Sequence, residues 1–177
     1  MRILLDTNVI VNYLTKRKDK YTQESIIIMH ECANGKLDGF VAFHSLSTIS
    51  YVFRKLPFDI RVQWLKIICE TLNVASATSE LIIKALQKEN FTDLEDNLQD
   101  CCAQNIGAEY IVTANVRDYE GHSFVKAVTP AELLDIMDKS DEKYSCEVHE
   151  PQIEYNPFYP TTKRSWHRHY AIRHLHA

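Results

Sequence analysis

Glycine is scarce, four residues in 177. None of the four builds a G-x-G-x-x-G turn after the first apolar run or a phosphate-cradling G-x-x-x-x-G-K loop, which excludes a dinucleotide site and a P-loop. G-x-S-x-G is missing too, and with it the strand-to-helix elbow of a serine hydrolase. An aspartyl phosphatase needs a second carboxylate two residues after its nucleophile, and Asn8 holds that place after Asp6. The five cysteines, Cys32, Cys69, Cys101, Cys102 and Cys146, are odd in number and contain no C-x-x-C, so a disulfide framework and a zinc knuckle are set aside in favour of reduced, mostly buried thiols. Apolar runs such as Ile26 to Met29 fall far short of the ~20 residues a membrane span needs. Asp6 interrupts the N-terminus where a signal peptide would remain apolar, and the expectation is a cytoplasmic protein with no membrane partner.

What remains is ordinary globular composition, 45% hydrophobic and 25% charged, in a 20.6 kDa chain sized for a single core. The net charge of −4 hides an asymmetry: residues 1–138 hold 14 Lys and Arg against 19 Asp and Glu, whereas residues 161–177 hold four basic residues, four histidines and no acid. Three prolines and unpatterned aromatics between Pro151 and Pro160 predict that 139–177 is a disordered or loosely attached tail behind a domain at 1–138. A mobile basic arm adds weak affinity for nucleic acid at most, and His167-x-His169 and His174-x-His176 are metal-binding pairs of low weight.

Strand and helix periods alternate along the first 138 residues. Ile3-Leu4-Leu5 reads as a buried strand, Asp6-Thr7-Asn8 as a polar turn, and Val9 to Leu14 as a helix. Further helices are predicted at 22–33, 45–55, 59–72, 79–89, 93–105 and 130–137, with strands at 39–43, 74–77, 110–113 and 126–128. This order implies a three-layer α/β/α fold around a mostly parallel sheet, with ligands at the carboxyl ends of the strands.

Polar motifs fall at those ends. Asp6 follows the first strand, where it serves either as a helix cap or as a site residue. Asp93, Glu95, Asp96 and Asp100 crowd a helix start; at about 100° per residue Asp93, Asp96 and Asp100 share a face and Glu95 points away. A Thr92-x-x-Glu95 capping box accounts for Glu95 and for some of Asp93, but Asp96 and Asp100 lie deeper. A hard divalent cation, Mg²⁺ or Mn²⁺, would relieve such repulsion and selects oxygen ligands. Asn115 and Asp118 occupy the turn after the late strand.

Together, Ile3 to Ile10, Ser45 to Tyr51, Asp93 to Gln99 and Tyr110 to Tyr119 resemble the PIN domain in order and spacing over residues 1–138. The resemblance implies a metal-dependent endoribonuclease using Mg²⁺ or Mn²⁺, in many small bacterial members a VapC-type toxin, with RNA as substrate and a cognate antitoxin or a second copy as partner. By position, Asp6, Asp96 and Asp118 become the catalytic acids, and Asp6, Asp96, Asp93 and Asp100 the candidate metal ligands. Asn8, Thr48, Glu95, Thr113 and Asn115 are auxiliary: Thr48 stands where the family places a glutamate, Asn115 where many members have a last aspartate, and Asp93 or Glu95 is the candidate compensation. Arg54, Lys55 and Arg117 are the cations placed to offset the acids against a polyanion. The rival expectations are a degenerate PIN module that binds without cutting and a single-stranded DNA nuclease.

Overall fold

The computed structural model describes residues 1–87 and 93–147, with side chains described to residue 140. Thr92 of the expected capping box, the end of the predicted 79–89 helix, the basic arm and its histidine pairs lie outside the described residues. In chain order the elements are β1 (Arg2–Leu5), α1 (Thr7–Thr15), α2 (Thr22–Ala33), β2 (Asp38–Ala42), α3 (Phe43–Val52), α4 (Phe58–Thr71), β3 (Asn73–Ala75), α5 (Ser79–Leu86), α6 (Leu94–Ile106), β4 (Tyr110–Val112), a 3-10 turn (Val116–Tyr119), β5 (Ala127–Val128) and α7 (Pro130–Glu147).

Every strand pairing is parallel, in the order β3-β2-β1-β4-β5. Central β1 is covered on both faces, which is why Ile3, Leu4 and Leu5 form an unbroken apolar run and all have 0% exposure. Ile3 and Leu5 face α1, α2, α4 and α7 in one cluster, while Leu4 faces Cys102 and Ala103 of α6 in another. The expected α/β/α layering is therefore present. The register places Leu5 level with Val41 of β2 and Val112 of β4, so Asp6, Ala42 and Thr113 leave the sheet side by side at one edge.

Two predicted boundaries shift. Helix α3 starts at Phe43, directly after β2, two residues earlier than the pattern suggested, and α7 runs on to Glu147, so the first part of the expected tail continues the last helix. Asp93 caps α6 from outside, its carboxylate accepting the Glu95 N–H at 2.7 Å. Of the cysteines with described side chains, Cys32, Cys101 and Cys102 are buried and Cys69 is exposed; burial pushes the Cys32 thiol up to about 12, which keeps it protonated and unreactive.

Gly39 in β2 lets α2 and α4 close on the sheet. A Cβ there would lie 2.5 Å from Cys32 Sγ and 2.8 Å from Leu72 Cδ2. Gly39→Ala should lower the unfolding free energy by about 1–3 kcal/mol through overpacking, and a urea midpoint equal to wild type would show that the contact yields freely.

Candidate active site

Asp6 begins α1, yet its side chain makes no capping hydrogen bond. The residue is 6% exposed, and neutral donors hold its carboxylate. Gln99 Nε2 of α6 donates to Oδ1 at 2.8 Å, and the Thr113 hydroxyl beyond β4 donates to Oδ2 at 2.6 Å. The Asn8 amide also donates to Oδ2. Asn8 in turn ties the turn after β4 to β1, accepting the Ala114 N–H at 3.0 Å and donating to Thr113 Oγ1 at 3.1 Å. Burial is the main influence on Asp6 and raises its pKa above the ordinary 3.8, with the Thr113 and Gln99 hydrogen bonds pulling the other way.

Asp96 faces Asp6 from the first turn of α6. Burial, then repulsion from Asp6 and Asp93, lifts it from 3.8 to about 7, with Asp118 adding to the repulsion and a hydrogen bond from Tyr119 opposing it. Tyr119, 3% exposed at the end of the 3-10 turn, donates its hydroxyl to Asp96 Oδ1 at 3.2 Å. Burial and the charges of Asp6 and Asp96 push that phenol far above its usual range, so it remains a donor. Asp6 and Asp96 thus lie close enough for the charge of Asp6 to act on Asp96.

The acids expected on one face of α6 part company. Asp93 is the cap just described. Asp100, 0% exposed, accepts from the Ser123 hydroxyl at 2.6 Å and from the Phe124 and Val125 N–H groups at 3.0 and 3.1 Å, so its carboxylate braces the loop before β5. Glu95, expected to point away, reaches back across the crevice and accepts from the Thr7 hydroxyl at 2.9 Å. Its place in the first turn, combined with a side chain one methylene longer than aspartate, makes that reach possible. Asn115 and Asp118 are exposed and line an open depression of about 590 Å³ between the 3-10 turn and Glu132 of α7; Asp6 and Asp96 do not line it. Thr48 is half-buried on α3, one turn beyond His44.

Three participants escaped the reading of the sequence. Gln99 and Tyr119 are neutral and were not sought. His44, first turn of α3, lies within reach of the Glu95 and Asp6 charges; burial lowers its pKa, and its Nε2 is enclosed without a hydrogen-bond partner. The i,i+3 spacing of Asp96 and Gln99 was the available signal, since it places the amide on the acid's own face.

A model of the PIN domain family matches residues 2–117. The chain belongs to this family. The PIN domain here is similar in fold to VapBC-1 from nontypeable Haemophilus influenzae, at TM-score 0.56 and 18% identity over 74% of this chain and 99% of that one. VapBC2 from Rickettsia felis, bound to a DNA fragment from its promoter, gives 0.54 and 18% over 73% and 98%. FitAB bound to an IR36 DNA fragment gives 0.50 and 14% over 72% and 94%. No curated protein matches the chain. Among the described residues, no helix is long and apolar enough to cross a membrane.

The raised Asp96 carboxyl carries a stability consequence. A folded-state pKa above the unfolded value means that ionisation costs the fold stability, starting near pH 4 and complete above about pH 7. Asp96→Asn should therefore stabilise the metal-free protein by about 1–2 kcal/mol at pH 8, after discounting for solvent screening of a half-buried group, and by nothing at pH 4. Urea unfolding at the two pH values checks this, and an equal effect at both would contradict a charge origin.

Proposed function

We propose that this PIN domain is a divalent-metal-dependent endoribonuclease, with Asp6 and Asp96 as its paired acids. What supports the reading is that Asp96, 90 residues from Asp6 in sequence, lies within reach of its charge, and that among the described residues no Lys or Arg forms an ion pair with either. A net negative pair of which one member is buried and the other half-buried is costly unless a cation joins it.

The residues present fit a hard cation. Their donors are oxygens, and an ionised carboxylate offers about four acceptor positions, of which Asp6 has three engaged. Among the described residues, no three His, Cys, Asp or Glu side chains stand close enough to hold a metal by themselves. That suits Mg²⁺ or Mn²⁺ bound through one or two carboxylates, with water and substrate phosphate completing the shell. When bound, the cation would supply Lewis-acid activation of water and of the scissile phosphate. The chain's own residues fix the geometry: Gln99, Thr113 and Asn8 hold Asp6 without neutralising it, Tyr119 orients Asp96, and Thr7 holds Glu95 beside the pair. Glu95 is the carboxylate best placed to compensate for Thr48, and Asp118 at the rim contributes charge. Asp93 and Asp100 act through the α6 cap and the loop before β5.

The resemblance to VapC-type toxins, supported by the fold shared with VapBC-1, VapBC2 and FitAB, points to a cognate antitoxin as partner, with a second copy of the chain as a further candidate. The reading also places the protein in the cytoplasm, where such RNA is found.

Asp6→Asn and Asp96→Asn should each abolish Mn²⁺-dependent cleavage of single-stranded RNA, a larger loss than the roughly 10–100-fold expected for an outer partner in Gln99→Leu. Unchanged cleavage in Asp6→Asn would end the mechanism. Calorimetry with Mn²⁺ tests the rival reading of a degenerate module: binding at millimolar concentrations or tighter, lost in Asp96→Asn, supports the nuclease, and no binding by the wild-type protein supports the degenerate module. A matched DNA oligonucleotide in the cleavage assay separates the two nucleic acids.

A further inference from the structure

We propose that the outer face of α3 is the track on which a single-stranded segment of RNA lies as it enters the crevice. This rests on the nuclease reading and adds to it a binding surface beyond the acids. Helix α3 starts at the crevice, since its second residue, His44, stands beside Glu95 and Asp6. Along it Phe43, Ser47 and Tyr51 recur at offsets of four, which at about 100° per residue keeps them on one stripe, and Arg54 follows in the turn just past the helix end. Phe43 is 68% and Tyr51 66% exposed, an unusual cost in water for large rings so close together. Helix geometry separates them by about 12 Å, at ~1.5 Å per residue, so different bases reach the two rings.

The stripe also carries positive charge. The Arg54 guanidinium stacks 4.3 Å from the Tyr51 ring centroid and donates to the Tyr51 carbonyl at 3.2 Å, which holds both groups in place before any ligand arrives. Beside them, Arg61 of α4 lies 5.4 Å from the ring of Phe58, itself 72% exposed, and donates to Ser50 of α3 at 3.4 Å. Exposed rings alternating with fixed guanidinium groups suit stacked bases and a phosphate backbone, the composition of surfaces that hold single strands without reading sequence. An aliphatic partner would need neither the cations nor their stacking. An acidic crevice alone repels RNA, and this face leads into it with the opposite charge.

Fluorescence anisotropy of a labelled oligouridylate with the full-length protein in EDTA, where cutting is suppressed, measures the track directly. Tyr51→Ala and Phe43→Ala should each weaken binding by roughly 5- to 100-fold, the range for loss of one stacked base. Tyr51→Phe should bind as wild type, and Arg54→Gln should reduce the slope of log K against log salt by about 0.7. Ile83→Ala, on α5, should change nothing. Wild-type affinity in a folded Tyr51→Ala protein overturns the track, and if metal-dependent cleavage persists there the nuclease reading still stands. A Tyr51→Ala protein that changes sedimentation but not RNA affinity identifies the stripe as a contact between copies and also overturns the track. Absence of both binding and cleavage in the wild-type protein overturns track and nuclease reading together.

Discussion

A buried carboxylate, Asp6, with the half-buried Asp96 within reach of its charge and no basic ion-pair partner for either among the described residues, is the constraint around which the sheet edge is arranged. Burial is the main influence disfavouring ionisation of both Asp6, at the end of β1, and Asp96, in the first turn of α6; the charge of Asp6 adds to it at Asp96, and that of Glu95 at Asp6. A fold selected for stability alone would replace one of them with an amide or add an arginine. The pair is kept, and the rest of the fold holds the carboxylates in place at the cost of some stability, as is common where function requires a strained arrangement.

Holding them requires several elements to agree. The parallel register brings the ends of β1, β2 and β4 to one level, so Asp6, the start of α3 and Thr113 emerge together. Helix α6 crosses that edge with Asp96 and Gln99 on one face and Asp100 turned to the loop at Ser123 to Val125. Because Asp100 bonds that loop through several donors, the loop is fixed relative to α6, and with it the preceding 3-10 turn that carries Tyr119. Acids adjacent in sequence thus perform separate tasks: one caps the helix, one faces the crevice, one answers Thr7, and one secures a loop.

That division shows what a sequence can disclose. Periodicity found α2 at its observed bounds, 22–33, because an apolar stripe and an Asn-Gly stop are local properties. Asp96 stood out because an acid beyond the expected capping box has no local explanation, whereas Asp6 read equally well as a cap until the structure showed that its side chain makes no capping hydrogen bond. The roles of Glu95, Asp100 and Gln99 were not legible, since each is decided by a partner that the fold brings from afar: Thr7 is 88 residues from Glu95, Asp6 is 93 from Gln99, and Ser123 is 23 from Asp100. Helical angles alone placed Glu95 away from the site, whereas the length of its side chain and the position of the Asp93 cap turned it inward. The start of α3 at Phe43 rather than Ser45 was similarly hidden, because a helix that leaves a strand without a loop has no turn residues to announce it.

The choice of neutral donors around Asp6 connects these observations. An arginine at the position of Gln99 would orient the carboxylate equally well and would lower its pKa, but it would also cancel the charge. Glutamine, threonine and asparagine orient by hydrogen bonds while leaving the net negative charge to whatever enters from solvent. On the proposed function, neutral donors around Asp6 would leave more of a bound ion's shell to come from a phosphate and from water. Such a site would be completed by its substrate, and the basic, aromatic face of α3 beside it is then the feature that makes delivery of a polyanion to an acidic crevice physically reasonable.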